Sequence, residues 1–275
     1  MYGWDEHVNS GSKVRVNGLE VFYVDKGAGE PVVLLHGWAS SSFSWRNNFK
    51  DLSKTFRTVA PDLPGFGNSE RLKTGLHLAP LTDHLLEFLS AVGVEGFSLV
   101  GHSMGGVVSS YLASTRPTLV RKLVLINPSL FGTEVGRPPL ITRIARVRPI
   151  GNVMTKLMVS RPFVRSALRR VYVRKELIDE SVVEGYFQSV KRSGTTLLEA
   201  ANLIGEFSQN VLSGIRCPVL FILGQLDTWV PYERNKALAE SMGARVIIIP
   251  DAGHNAHEEN PNVVNRIITE FLAEL

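Results

Sequence analysis

The chain has 275 residues, 44% of them hydrophobic and 20% charged, which suits a folded globular protein and excludes wholesale disorder. A net charge of +4 is too mild to imply nucleic-acid binding by itself, and a single cysteine excludes an intrachain disulfide. Cys217, before Pro218 at the mouth of an apolar strand, reads as a small core residue rather than a functional thiol. The start Met1-Tyr2-Gly3-Trp4-Asp5-Glu6-His7 shows no secretory signal and no segment reaches membrane-span length, so a cytoplasmic location is the expectation.

In chain order, Lys13–Val16, Asn17-Gly18 and Leu19–Val24 read as a hairpin closed by a type I′ turn. Val32–Leu35 is a continuous apolar run, the pattern of a strand buried on both faces, and it ends in His36-Gly37-Trp38. Phe43–Leu52 reads as helical, and Thr58–Ala60 as a short strand leading into Pro61-Asp62-Leu63-Pro64-Gly65-Phe66-Gly67-Asn68-Ser69. Apolar residues recur at helical spacing across Leu78–Val92. Ser98-Leu99-Val100 is a further buried strand, followed by Gly101-His102-Ser103-Met104-Gly105 and a helix to about Ser114, then the strand Lys122–Asn127.

Alternation of strand and helix indicates a mostly parallel, doubly wound α/β sheet. It stops near Phe131 and resumes near Cys217, with the strands Val219–Leu223 and Val246–Ile249 and a last helix from about Asn262. The intervening stretch, 132–213, carries helical patterning punctuated by Pro138-Pro139, Pro149 and Pro162 and is too long for a plain loop. It is expected to form a helical cap above the strand ends, where open α/β sheets bind ligands, with 1–131 and 214–275 making the core domain.

Gly101-x-Ser103-x-Gly105 fits a nucleophile elbow, in which a strained strand-to-helix turn presents a serine oxygen above the sheet. A serine hydroxyl is a weak nucleophile at neutral pH and needs a base, which in turn needs an orienting acid. His254 follows the last strand and is the expected base; His257, a turn later, reads as solvated or capping, His84 as a helix residue, and His102 as packed inward. Asp227 follows the Val219–Leu223 strand and is the expected acid. Asp251 reads as a turn cap, and Asn127, at the other available strand end, cannot supply charge. The expected oxyanion donors are the backbone N–H groups of Met104 and Trp38. His36, Gly37, Trp38 and Trp229 are expected to line the substrate site, and neither cofactor nor metal is called for.

His36-Gly37-Trp38, Asp62–Ser69, Gly101–Gly106, Gly224–Pro231 and Gly253-His254, in this order, resemble the α/β-hydrolase superfamily over essentially the whole chain. The resemblance extends to capped serine esterases and lipases, and to C–C hydrolases of meta-ring-fission products. Those C–C hydrolases usually carry an aromatic after the catalytic histidine, whereas Asn255 stands here. The resemblance therefore implies ester hydrolysis first and C–C cleavage second, with a non-enzymatic binder on the same scaffold as a third reading.

From Arg137 to Lys175 the cap segment carries Arg137, Arg143, Arg146, Arg148, Lys156, Arg161, Arg165, Arg169, Arg170 and Arg174 and no acid. Three readings stand: a solvated face balanced by acids on the core domain, an amphipathic contact with an anionic lipid surface, or attraction of an acidic substrate group. The substrate is expected to be a small-molecule ester, and oligomeric state is left open.

Overall fold

The computed structural model describes residues 2–131 and 158–274. Eight strands form one sheet in the order β1-β2-β4-β3-β5-β6-β7-β8. They are β1 (Ser12–Val16), β2 (Leu19–Lys26), β3 (Pro31–Leu35), β4 (Arg57–Pro61), β5 (Phe97–His102), β6 (Val120–Ile126), β7 (Val219–Gly224) and β8 (Arg245–Ile249). The β1–β2 and β2–β4 pairs are antiparallel and the rest parallel. Asn17 and Gly18 both have positive φ (48° and 80°), as the type I′ turn requires.

The apolar runs are continuous because both faces of the sheet are covered. Val33, Leu35, Leu99, Leu123, Leu125 and Phe221 point into one core with helices Leu78–Ala91 and Met104–Thr115. Val32, Leu34, Val100, Val124, Ile126 and Ile222 point into the other with Trp45, Phe49 and helix Pro261–Ala273. Half-buried Cys217 packs against the first core, as a small apolar residue would.

One local expectation changes. The Phe43–Leu52 helix is broken into a 3₁₀ turn, Ser42–Trp45, and a single turn, Phe49–Leu52. Between them buried Asn48 donates to the His257 carbonyl (3.1 Å) and to Asn265 Oδ1 (2.6 Å), contacts a continuous helix would not provide from the same backbone. The N-terminal segment, which has no clear pattern, forms a helix over Trp4–Ser10. Trp4 and His7 are buried one turn apart against Phe43 (ring centroids 6.0 and 5.5 Å).

Between β6 and β7 the described chain is helical: Arg161–Val171, Glu180–Ser193, Thr196–Glu199 and Ala201–Glu206, then a 3₁₀ turn, Gln209–Gly214. Ser160 and Asp179 cap the first two helices, accepting the N–H of Phe163 (3.4 Å) and Val182 (2.8 Å). Arg137, Arg143, Arg146, Arg148 and Lys156 of the basic segment, and the first part of the expected cap, lie outside the described residues. Three of the five described arginines of this segment pair with acids, none of them on the core domain. Arg161 pairs with Glu184 and Arg165 with Glu180, both on the next helix of the insertion, and Arg174 pairs with Glu176. No described helix is long and apolar enough to cross a membrane.

Candidate active site

Every candidate side chain stands where a parallel strand ends. Ser103 follows β5 and opens helix Met104–Thr115 with φ 52° and ψ −114°, a conformation that costs a non-glycine residue about 1–3 kcal/mol. The turn closes only because its neighbours lack side chains. A Cβ on Gly101 would meet the Gly105 carbonyl oxygen at 2.5 Å, and one on Gly105 the Leu35 oxygen at 2.2 Å.

His254 Nε2 lies 2.9 Å from Ser103 Oγ, and its Nδ1 lies 2.7 Å from Asp227 Oδ2. Asp227 Oδ1 accepts the N–H groups of Trp229 (2.8 Å) and Val230 (2.9 Å), so both carboxylate oxygens are engaged. All three residues are buried. With Asp227 accepting from Nδ1–H, Nε2 is left as an acceptor facing the serine hydroxyl. This is the arrangement in which a serine can be deprotonated as it attacks. Asp251, the rival acid, is exposed on the turn before His254.

The backbone of His254 is fixed at both ends. Its N–H donates to the Val171 carbonyl (2.9 Å), and its own carbonyl accepts from Asn127 Nδ2 (2.8 Å) and His102 Nε2 (2.9 Å). Asn127, at φ 41°, also donates to the Gly253 carbonyl (3.0 Å) and accepts the Gly224 N–H (2.8 Å). One side chain at the end of β6 thus ties the loops bearing the candidate acid and base. Glu259 adds a second tie. Its carboxylate accepts the N–H of Gly253 (2.9 Å) on one side, and of Val173 (2.7 Å) and Arg174 (2.9 Å) of the insertion on the other.

Of the expected lining residues, Gly37, Trp38 and Trp229 border a cavity that opens onto Ser103 and His254. Gly37 must be small, since a Cβ there would sit 3.0 Å from His102 Nδ1 and 3.2 Å from Ser103 Cβ. His36 does not border the cavity, which corrects its assignment as a substrate-binding residue. It is fully buried, its Nδ1–H donates to the Gly37 carbonyl (2.8 Å), and its Nε2 accepts the Leu63 N–H (3.0 Å). Its role is to hold the loop that carries Gly37 and Trp38, and burial pushes its pKa down to about 4, which keeps it neutral. Met104, directly after Ser103, is the first residue of its helix, so its N–H has no partner within that helix.

His102 packs inward as expected, buried behind His254 (ring centroids 4.9 Å apart). His257 is neither solvated nor a cap. It is fully buried between His102 (4.5 Å) and Trp45 (4.4 Å), and desolvation lowers its pKa to about 4. Two further groups gave no clear sequence signal. Buried Glu258 pairs with Arg46 and accepts from Tyr186 and from Asn255 Nδ2 (2.7 Å), backing the cavity wall beside His254. Ser129 places its Oγ 3.1 Å from Ser103 Oγ.

Apolar walls come from the insertion, through Phe163, Val164, Leu168, Val171 and Val190, while Ala39 and Ser40 line the core side. Tyr186 and Asn255 add the polar patch beside His254.

Residues 32–267 match the model of the alpha/beta hydrolase family, and the chain belongs to that family. It is 31% identical over 279 residues to an uncharacterized hydrolase of Bacillus subtilis, covering 97% of this chain and 99% of that one. It is 25% identical to a 2-hydroxy-6-oxo-6-phenylhexa-2,4-dienoate hydrolase of Burkholderia cepacia, covering 94% of each chain. Among solved structures, a thermophilic esterase from Thermogutta terrifontis superposes with a TM-score of 0.79 at 26% identity, over 95% of this chain and 97% of that one.

Proposed function

We propose that this alpha/beta hydrolase is a cofactor-independent serine esterase acting on carboxylic esters with an apolar acyl or alcohol group. The observation that carries the reading is the unbroken hydrogen-bond chain from Ser103 Oγ through His254 to Asp227, set at the base of an apolar cavity.

In this reading Ser103 Oγ attacks the ester carbonyl while His254 Nε2 takes its proton. Asp227 keeps Nδ1–H in place and stabilises the imidazolium without taking a proton itself. The Trp38 and Met104 N–H groups hold the oxyanion, each such donor being worth roughly 10²–10³ in rate. The C–O bond to the alcohol breaks and His254 returns the proton to the departing oxygen. Water then adds to the acyl-enzyme with His254 as base, and the acid leaves as Ser103 regains its hydrogen. The apolar insertion residues select for chain and ring shape, and Trp229, half exposed, stands at the rim.

A panel of p-nitrophenyl esters of increasing chain length tests this on wild type and Ser103→Ala, alongside labelling by a fluorophosphonate. Turnover and labelling confined to the wild type are expected; a folded wild type that neither turns over nor labels removes the reading and favours a binding protein.

A second reading, C–C hydrolysis of a vinylogous diketone acid by the same three residues, is supported by the similarity to the 2-hydroxy-6-oxo-6-phenylhexa-2,4-dienoate hydrolase over 94% of each chain. Turnover of a chromogenic ring-fission diketone far faster than any ester would choose it. Contact of the basic insertion with an anionic lipid surface stays a weaker proposal, because Arg161 and Arg165 already hold glutamates.

A further inference from the structure

Ser129 lies just past β6, beside the nucleophile and outside the three residues to which the chemistry has been assigned. Its position is held from several sides. Its N–H donates to the Ser103 carbonyl (3.2 Å), and the preceding Pro128 carbonyl accepts from buried Asn235 Nδ2 (3.0 Å). Pro128 also closes on Gly106, where a Cβ would meet Pro128 Cβ at 2.7 Å. The Ser129 hydroxyl is therefore placed at 3.1 Å from Ser103 Oγ by packed backbone, not by a free loop.

Proton counting fixes the direction of that contact. Ser103 Oγ carries one hydrogen, and His254 Nε2, with its Nδ1–H committed to Asp227, can only accept it. Ser103 Oγ must then meet Ser129 with a lone pair, so Ser129 is the donor. We infer that Ser129 is a further catalytic residue, whose O–H donates to Ser103 Oγ and stabilises that oxygen as it leaves the acyl group. This rests on the serine-hydrolase reading above.

The step concerned is deacylation. Water adds to the acyl carbonyl and gives its proton to His254 Nε2, forming a tetrahedral adduct. The bond from carbon to Ser103 Oγ then breaks, its electron pair stays on Oγ, and His254 returns the proton to that oxygen. Ser129 keeps its own hydrogen throughout and donates most strongly while negative charge gathers on Oγ. In the free enzyme the same donation occupies a lone pair of the attacking oxygen, so acylation gains little from it. The two half-reactions should separate when the hydroxyl is removed.

The full chain is acylated with p-nitrophenyl butyrate in quenched flow, and formation and decay of the butyryl adduct on Ser103 are followed by mass. Ser129→Ala should slow decay by about tenfold, the loss of one hydrogen bond to a charged atom, and change formation by less than about threefold. The adduct then accumulates, kcat and KM fall together, and kcat/KM holds. Ser129→Thr, which keeps the hydroxyl, should restore decay. Decay at the wild-type rate in Ser129→Ala, or an equal loss in both steps that threonine does not rescue, overturns the assignment of Ser129. In either case fluorophosphonate labelling of Ser103 in the wild type leaves the serine-hydrolase reading standing. A wild type that forms no adduct and takes no label overturns both.

Discussion

The floor and the roof of the cavity differ in what holds them. The floor consists of strand ends whose polar atoms are fixed by directed bonds: His254 by its own N–H and carbonyl, Asp227 by two amides, and the β7 and β8 loops by Asn127. The roof is built from side chains of the insertion that, Tyr186 aside, meet the cavity through apolar surface; Phe163, and Trp229 from the loop after β7, are left partly exposed at the mouth. Directed bonds hold atoms to a few tenths of an ångström, as proton transfer requires. Apolar contact is tolerant of shape and tunes affinity without moving reacting atoms. Rate should therefore be decided on the floor and substrate choice in the roof.

The strongest challenge to that division is Ser103→Ala, expected to lower kcat by about 10⁴-fold or more with no loss of fold. Steady-state kinetics and circular dichroism check it together. Asp227→Asn should follow closely, about 10³–10⁴-fold in kcat, because an amide can present an N–H to Nδ1 and so favour the wrong tautomer. Glu259→Gln is milder. Its amide would direct hydrogens at backbone donors on one side of the bridge between the His254 loop and the insertion. A loss of about 1–3 kcal/mol of stability by urea unfolding is expected, with kcat down about tenfold.

In the roof, Phe163→Ala should raise KM for a long-chain aryl ester about three- to tenfold and leave kcat within about twofold. A kcat loss as deep as that of Asp227→Asn would break the distinction.

Acid should act on the fold and leave the neutral-pH rate untouched. Burial lowers the pKa of His7 to about 3 and of His36 and His257 to about 4, and puts His102 well below the ordinary value. Burial also lowers His84, so as pH falls through 6.5 towards about 4.5 the unfolded chain comes to hold up to five protons that the native state excludes, and stability falls. Asp62 works in the opposite sense. Desolvation raises it to about 6 despite bonds from Ser42 and Asn68, so the native state binds a proton there before the unfolded chain does. Glu259, raised by burial, acts as Asp62 does, so five histidines outweigh two carboxyls by three protons, a slope of at most about 4 kcal/mol per pH unit. Thermal unfolding that is flat from pH 7 to 5 would show that these histidines charge inside the fold.

The parallel strands were readable from the chain because burial on both faces makes their runs uniformly apolar. Ser103, His254 and Asp227 were readable because each stands in the short loop or turn after such a run. What stayed hidden depends on distant partners. Glu258 and Glu259 look like a solvated face around His257, yet Arg46 and the amides of Val173 and Arg174 draw both acids inward and bury the histidine with them. The helix Trp4–Ser10 buries only Trp4 and His7, and their socket is supplied by the distant Phe22, Ser42 and Phe43. Ser129 sits in an ordinary Asn-Pro-Ser turn, and nothing local marks it as a neighbour of Ser103. His36 stands beside residues that do line the cavity, and only the direction of its ring separates it from them.

The tie made by Asn127 has a consequence for anyone recombining this scaffold with its relatives. The loop after β7 and the loop after β8 are not separate cassettes. Gly224 has room for nothing larger, since a Cβ there would strike the Gly253 oxygen at 2.2 Å, and both loops hang on one amide from β6. A graft that imports either loop alone carries a mismatch into the other. The smallest unit that can be exchanged is Asn127 with both loops, moved together.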